Sequence, residues 1–283
     1  MRLSLGTANF GIKYGFLNKS LKRKDIKKIK SFCIKKKILH IDTSTDYKNS
    51  FKFINKIIDK KFKVIIKIKF KNKKLNDYKS FKKHILFIKN KLNIKSFYGL
   101  LIHEPKDLIG KKGLKRINFF KKIQKQELVK KIGISIYSYL DLKRIERFLE
   151  PEIVQFPLNV FDDRITKTKW FKDVKKNPKV ETYARSCFLQ GSLINFKRSN
   201  KKVISSFRGD FDNFHKWCEK KNLSPMDACI HFVKKYRNID YLIVGFDDIH
   251  QLIYINNSFK KKNIKIPNIF CKNKIKLVDP RLW

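Results

Sequence analysis

The sequence predicts a closed (β/α)8 barrel, and three observations point to it. Short β-rich apolar runs alternate with segments of helical period along nearly the whole chain, as in a parallel sheet built from βαβ units. The runs number eight, at residues 3–5, 38–42, 64–68, 98–102, 131–135, 153–156, 180–183 and 241–244. The turn after the first, Gly6-Thr7-Ala8-Asn9-Phe10-Gly11, lacks the Gly-x-Gly-x-x-Gly spacing that usually opens a doubly wound sheet. With 283 residues, 42% of them apolar, the chain is long enough to form one barrel domain over residues 1–283.

Between the predicted strands, apolar residues recur at three- and four-residue steps, so each stripe can lie against the outside of a barrel. The stripes are Ile26, Ile29 and Cys33; Phe81, Ile85, Ile88 and Leu92; Leu142, Ile145 and Leu149; and Phe211, Phe214 and Cys218. Two helix starts are marked by a serine followed three residues later by a carboxylate: Ser138 with Asp141, and Ser224 with Asp227, the latter with Pro225 at the first helical position. The polar segment 197–209 is expected to be a mobile loop near the site. His84 and His215, on helical stretches, read as surface residues, and Gly6, Gly133 and Gly245 can be plain turn glycines.

The formal charge of +45 ordinarily suggests a nucleic-acid or anionic-membrane partner. Here lysines are spread along the whole chain and travel with Ile, Asn and Phe, the joint enrichment expected of AT-rich coding. They are therefore read as solvated faces, with no specific nucleic-acid partner, although the surface field favours anionic ligands. Lysines also break every apolar run, so no membrane span is expected. The opening Met1-Arg2-Leu3-Ser4-Leu5-Gly6 lacks the apolar run of a signal peptide. Five cysteines, odd in number and without a Cys-x-x-Cys pair, suggest neither a disulfide framework nor a zinc site. A cytoplasmic location fits both observations.

In such a barrel the chemistry belongs where strands end and βα loops begin. Asp42 closes the second run, Tyr47 follows five residues later, Lys67 interrupts the third, and His103 ends the fourth. Lys69 is a rival to Lys67 on the same strand face. A hydride delivered to a carbonyl carbon leaves negative charge on oxygen, which needs an acid close at hand. Tyr47 can be that acid if an ammonium lowers the phenol's ordinary pKa of about 10. Lys67 would supply the ammonium, Asp42 would balance its charge, and His103 would orient the substrate oxygen.

This set resembles the Asp, Tyr, Lys and His tetrad of the aldo-keto reductase family, and the resemblance runs from Leu5 to about Leu252. Leu5-Gly6-Thr7-Ala8-Asn9-Phe10-Gly11 looks like the family's opening turn. The resemblance implies that Ser135, in Lys131-Ile132-Gly133-Ile134-Ser135, and Gln155, in Val154-Gln155-Phe156-Pro157-Leu158-Asn159, contact a nicotinamide amide. Ala184-Arg185-Ser186-Cys187-Phe188-Leu189-Gln190-Gly191 and Ile243-Val244-Gly245-Phe246-Asp247 look like the last two strand ends, which line the cofactor in relatives. Gly6, Thr7, Ala8, Ser135, Gln155, Arg185, Ser186, Gly245 and Gln251 are thus the cofactor-binding candidates. The family habit implies NADP(H) rather than NAD(H). Asp279-Pro280-Arg281-Leu282-Trp283 resembles a branch associated with cell-surface polysaccharide synthesis.

The chain departs from the family at several places. Lys48 and Phe51 follow Tyr47 where many relatives have glycine and glutamate, and Ile136 replaces an asparagine. Arg185 stands where an aromatic ring often stacks on nicotinamide, so a guanidinium plane would stack there instead. Asp247 and Asp248 occupy the place where NADP-preferring members offer cations. Substrate choice is expected in the loops 48–54, 104–113 and 197–209, whose lysines are compatible with an anionic, phosphorylated or nucleotide-linked sugar. Two other functions stay open at this point: a catalytically silent nicotinamide-binding barrel acting as sensor or partner subunit, and a polyanion-binding protein using the lysine surface.

Overall fold

The computed structural model describes every residue except 14, 16–19, 22, 48, 71–74 and 199–201. Eight strands, β1 (Arg2–Gly6), β2 (His40–Ser44), β3 (Lys63–Ile68), β4 (Phe97–Ile102), β5 (Val129–Ser135), β6 (Ile153–Pro157), β7 (Glu181–Arg185) and β8 (Tyr241–Val244), pair in parallel and in sequence order, and β8 closes on β1. The fold is the predicted (β/α)8 barrel. Among the described residues, helices α1 (Ile26–Lys36), α2 (Ser50–Ile57), α3 (Tyr78–Leu92), α4 (Gly110–Lys125), α5 (Tyr139–Lys143) and α6 (Lys169–Asp173) follow the first six strands in turn. After β7 come α7 (Ser192–Asn195), α8 (Lys202–Ser206), α9 (Arg208–Lys220) and α10 (Pro225–Lys234), and after β8 come α11 (Ile249–Lys260) and α12 (Ile275–Val278). None of the described helices is long and apolar enough to cross a membrane.

The predicted stripes are buried on α1, α3 and α9. Leu142, Ile145 and Leu149 are buried too, but regular helix ends at Lys143 and the rest continues as hydrogen-bonded turns. Both predicted caps form: the Asp141 carboxylate accepts the Ser138 N–H at 2.9 Å, and Ser224 Oγ accepts the Asp227 N–H at 3.0 Å. Strand β2 starts two residues later than predicted, because Lys37 turns left-handed and the Ile38 N–H bonds the Cys33 carbonyl, so Ile38 closes α1.

The stretch 197–209, expected as a loop, is largely helical. Ile204 is buried and Val203 and Phe207 pack on the core, so its apolar residues outweigh its polar composition; residues 199–201 lie outside the described part. His215 is half-buried rather than on the surface, with Nε2 2.8 Å from the Leu193 carbonyl oxygen. His84 is likewise half-buried. Gly133 serves no turn: it lies within β5, where an added Cβ would stand 2.1 Å from the Ile153 carbonyl oxygen on the neighbouring strand.

Side chains alternate across each strand, so one set points out to the helices and the other fills the barrel. The lower interior holds a polar aromatic cluster that the pattern of apolar runs did not announce. His40 stacks on Tyr241 with ring centroids 4.1 Å apart, and its Nδ1 is 2.9 Å from the Tyr183 hydroxyl. Tyr98 donates to Glu181 at 2.5 Å, and Lys131 pairs with the same carboxylate at 2.9 Å. Burial, reinforced by Lys63, Arg2 and Lys131, pulls the His40 pKa from 6.5 down to about 3.

The unfolded chain therefore takes up a proton on His40 below pH 6.5 while the folded chain does not. Stability is full above pH 6.5 and falls as pH drops toward 3. Denaturant unfolding should show this group costing about 2–3 kcal/mol by pH 4.5. His40→Phe, which keeps the stack, should flatten the decline, and equal pH slopes in the two proteins would refute a neutral buried His40.

Candidate active site

The register of the upper barrel explains which predicted residues meet. Asp42 lies opposite Ile65, and Lys67 is the next inward position up β3. Its Nζ donates to Asp42 Oδ2. The pair is nearly out of solvent, with Lys67 2% and Asp42 5% exposed, so water does little to screen it. Burial pulls the Lys67 ammonium below the ordinary lysine range, and the Asp42 carboxylate opposes that shift. Lys69, the rival on the same strand face, lies one residue beyond the strand end and pairs instead with Asp46 at 2.7 Å and Glu104 at 3.2 Å.

Tyr47 follows β2 in a turn held by its N–H to the Ser44 carbonyl at 3.0 Å and by Ser50, whose hydroxyl donates to the Tyr47 carbonyl at 2.7 Å. Lys67 Nζ stands 5.8 Å from the Tyr47 ring centroid. The backbone N–H of His103 bonds the Ile68 carbonyl at 2.9 Å, and its Nδ1 is 3.1 Å from Ser44 Oγ, which also accepts the Asp46 N–H at 3.2 Å. Ser44 thus holds one imidazole nitrogen of a residue that lines the cavity. All four members of the predicted tetrad border a cavity of about 370 Å³ at the C-terminal end of the strands. That size lies in the usual range for small-molecule sites, roughly 300–1,000 Å³.

Gly6, Thr7, Ala8, Arg185, Ser186, Gly245 and Gln251 border the same cavity. Thr7 ties the β1 end to β2, its hydroxyl donating to the Asp42 carbonyl at 3.0 Å. Ser135 and Gln155 sit beneath the wall: both are buried, Gln155 Nε2 donates to Asp42 Oδ1 at 2.8 Å, and Ser135 Oγ is 3.5 Å from Gln155 Oε1. The polar partner that a buried Gln155 requires is therefore the tetrad carboxylate. Gln251 Oε1 accepts the Asp247 N–H at 2.6 Å, and Asp248 caps α11 through the Gln251 N–H at 2.8 Å. The Asp248 carboxylate thus has a local structural use, and Asp247 Oδ1 accepts from Asn9 Nδ2 at 3.3 Å.

Other wall residues were not singled out from the sequence. Tyr137 lies close to two guanidinium groups, with Arg185 Cζ 4.1 Å and Arg281 Cζ 3.5 Å from its ring centroid. Arg281 is in a C-terminal segment whose route over the barrel mouth no local pattern reveals. The described residues of 48–54, 104–113 and 197–209 do not line the cavity; its outer wall comes instead from 186–195 and 280–281. Phe51, a departure from the family, is buried in α2, where it packs, and Lys48 lies outside the described residues.

The wall fits a nicotinamide dinucleotide on two counts. A Cβ added at Gly245 would meet nothing within 4 Å, so backbone is open to a ligand there. Asn9, whose Nδ2 donates to the Phe246 carbonyl at 2.6 Å, carries a buried Oδ1 without a hydrogen-bond partner beside the same strand end.

Comparison with known proteins agrees with the fold. The glycerol dehydrogenase AKR11B4 from Gluconobacter oxydans is similar in structure, with 17% identity and a TM-score of 0.68. So is the aldo-keto reductase AKR11C1 from Bacillus halodurans in its holo form, with 13% identity and a TM-score of 0.70. Each alignment covers 93% of this chain and 88% of the other, and at such identities the likeness bears on the fold alone. No curated protein sequence matches the chain. A family model described as Aldo/keto reductase family matches residues 2–268. The chain belongs to the aldo/keto reductase family of NAD(P)H-dependent oxidoreductases, which act on small-molecule carbonyls.

Proposed function

We propose that this chain reduces the carbonyl of a small aldehyde, ketone or sugar-type substrate to an alcohol, with Tyr47 as proton donor. The observation that carries this reading is the buried Asp42–Lys67 pair beside the Tyr47 ring, on a cavity that His103 also borders. A bound dihydronicotinamide supplies the hydride. Charge then grows on the substrate oxygen, and the residues around it act on that charge. The Lys67 ammonium favours the phenolate of Tyr47 and so makes the phenol a better acid. Asp42 keeps the ammonium charged against its burial, while Gln155 steadies the second carboxylate oxygen. With Nδ1 held at Ser44, His103 offers its other ring nitrogen to the substrate oxygen.

Gly6, Thr7, Ala8, Ser186, Gly245 and Gln251 would hold the cofactor, with Arg185 at its nicotinamide end, where the substrate also enters, and Ser135 and Gln155 supporting its amide from below. NADP(H) is the form we propose, on the family habit and the basic surface, against the carboxylates of Asp247 and Asp248. The whole chain, residues 1–283, is read as one domain, and its five free thiols support a reducing, cytoplasmic setting.

Titration with NADPH and with NADH, followed by a panel of carbonyl compounds, tests this reading. Saturable binding, tighter for NADPH, and oxidation of the bound cofactor by at least one carbonyl are expected. Binding without oxidation across a broad panel would leave a silent nicotinamide-binding barrel, and no binding of either form would remove the function altogether.

A further inference from the structure

The cations on the cavity wall are not equally compensated. Lys67 is paired with Asp42, Lys69 with Asp46 and Glu104, and Arg281 with Asp279, which accepts its Nε and Nη2 at 2.6–3.1 Å. Arg185 differs. Its Nη1 donates to Ser186 Oγ at 3.3 Å and its Nη2 to the Ile136 carbonyl at 3.1 Å, both neutral acceptors. Among the described residues no carboxylate lies in ion-pair contact with it, and no residue outside the described part is acidic. Asp279 is near enough for the Arg185 charge to help lower its pKa, yet its oxygens are spent on Arg281.

A half-buried guanidinium with only neutral hydrogen-bond partners loses hydration without gaining a counterion. One face of it is fixed by Tyr137, so the group is oriented as well as charged. We infer that Arg185 is the receptor for an anionic group of the substrate, a carboxylate or a phosphate, and that this enzyme selects carbonyl compounds carrying such a group. The inference rests on the reductase reading above and names its substrate class. Arg281, also close to the Tyr137 ring, adds to the same positive field but is largely cancelled by Asp279.

The test compares 4-carboxybenzaldehyde with 4-methylbenzaldehyde, which differ at one position in charge. The readout is the ratio of their kcat/KM values in the full-length protein. In the parent the ratio should favour the carboxylate and shrink as salt is raised. Arg185→Gln should lower it roughly 10- to 100-fold, the scale of one lost hydrogen-bonded charge contact. Arg185→Lys, which keeps the charge without the planar fork, should fall between. Asp279→Asn, which removes a charge near Arg185 and uncovers Arg281, should raise the ratio, and by less when combined with Arg185→Gln, a coupling that a merely structural role for Arg185 does not produce.

An unmoved ratio in Arg185→Gln overturns the proposal. If that variant instead weakens NADPH binding and spares the ratio, the anion is a cofactor phosphate and the proposal again falls. Should the parent reduce neither aldehyde, the reductase reading is decided separately by the broad carbonyl panel. Calorimetric titration of 4-carboxybenzaldehyde into parent and Arg185→Gln then decides the subsite, with binding in the parent and at least tenfold weaker binding in the variant as the supporting result.

Discussion

Tyr47→Phe is expected to cut turnover by roughly 100- to 10,000-fold, the usual contribution of a positioned general acid, while NADPH still binds. Phenylalanine keeps the ring that Lys67 approaches at 5.8 Å and removes only the hydroxyl. The turn is held by the backbone of Tyr47 with Ser44 and Ser50, so the change should not disturb it. Stopped-flow reduction under single-turnover conditions separates loss of chemistry from slow product release. If the variant reduces its best aldehyde at the parent rate, Tyr47 is not the acid, and the proton must come from another group on the wall.

The second large effect is expected from Asp42→Asn. The exchange keeps the shape of the side chain and deletes the charge that balances Lys67. An ammonium left buried without its counterion costs about 3–5 kcal/mol. For a chain of this size that corresponds to a drop in melting temperature of roughly 5–8 °C. Turnover should fall as well, because Lys67, already pulled down by burial, would lose its proton more readily and no longer support the Tyr47 phenolate. The alkaline limb of the rate profile should therefore move to lower pH. A double change, Asp42→Leu with Lys67→Met, should recover most of the stability but none of the turnover, since an apolar pair of similar size can replace a buried ion pair in packing but not in charge. Parent-like stability in Asp42→Asn would show that the pair does not hold its charges in the folded protein.

The structure also divides what could be read locally from what could not. Eight strands and their order were legible, because short apolar runs, buried on both faces, alternate with stripes of 3.6-residue period, and each pattern expresses burial in the residues that form it. That Asp42, Tyr47, Lys67 and His103 would border one cavity was legible because strand ends are where this architecture places its open backbone and polar side chains. The choice between Lys67 and Lys69 was not. Both have the parity of the inward face, and only the stagger between β2 and β3 gives Asp42 to the first while leaving the second beyond the strand end with Asp46 and Glu104.

Local sequence pointed to the strands, the helix caps and the candidate residues at the strand ends, because each is marked by a pattern within one turn or one strand. Tertiary structure alone decided the partner of Gln155, the burial of His40 among three tyrosines, and the passage of Arg281 over the mouth to meet Tyr137. Those contacts join positions more than 50 residues apart in every case. Their energies depend on distance and desolvation between strands, quantities that no window of the chain contains until the barrel has closed.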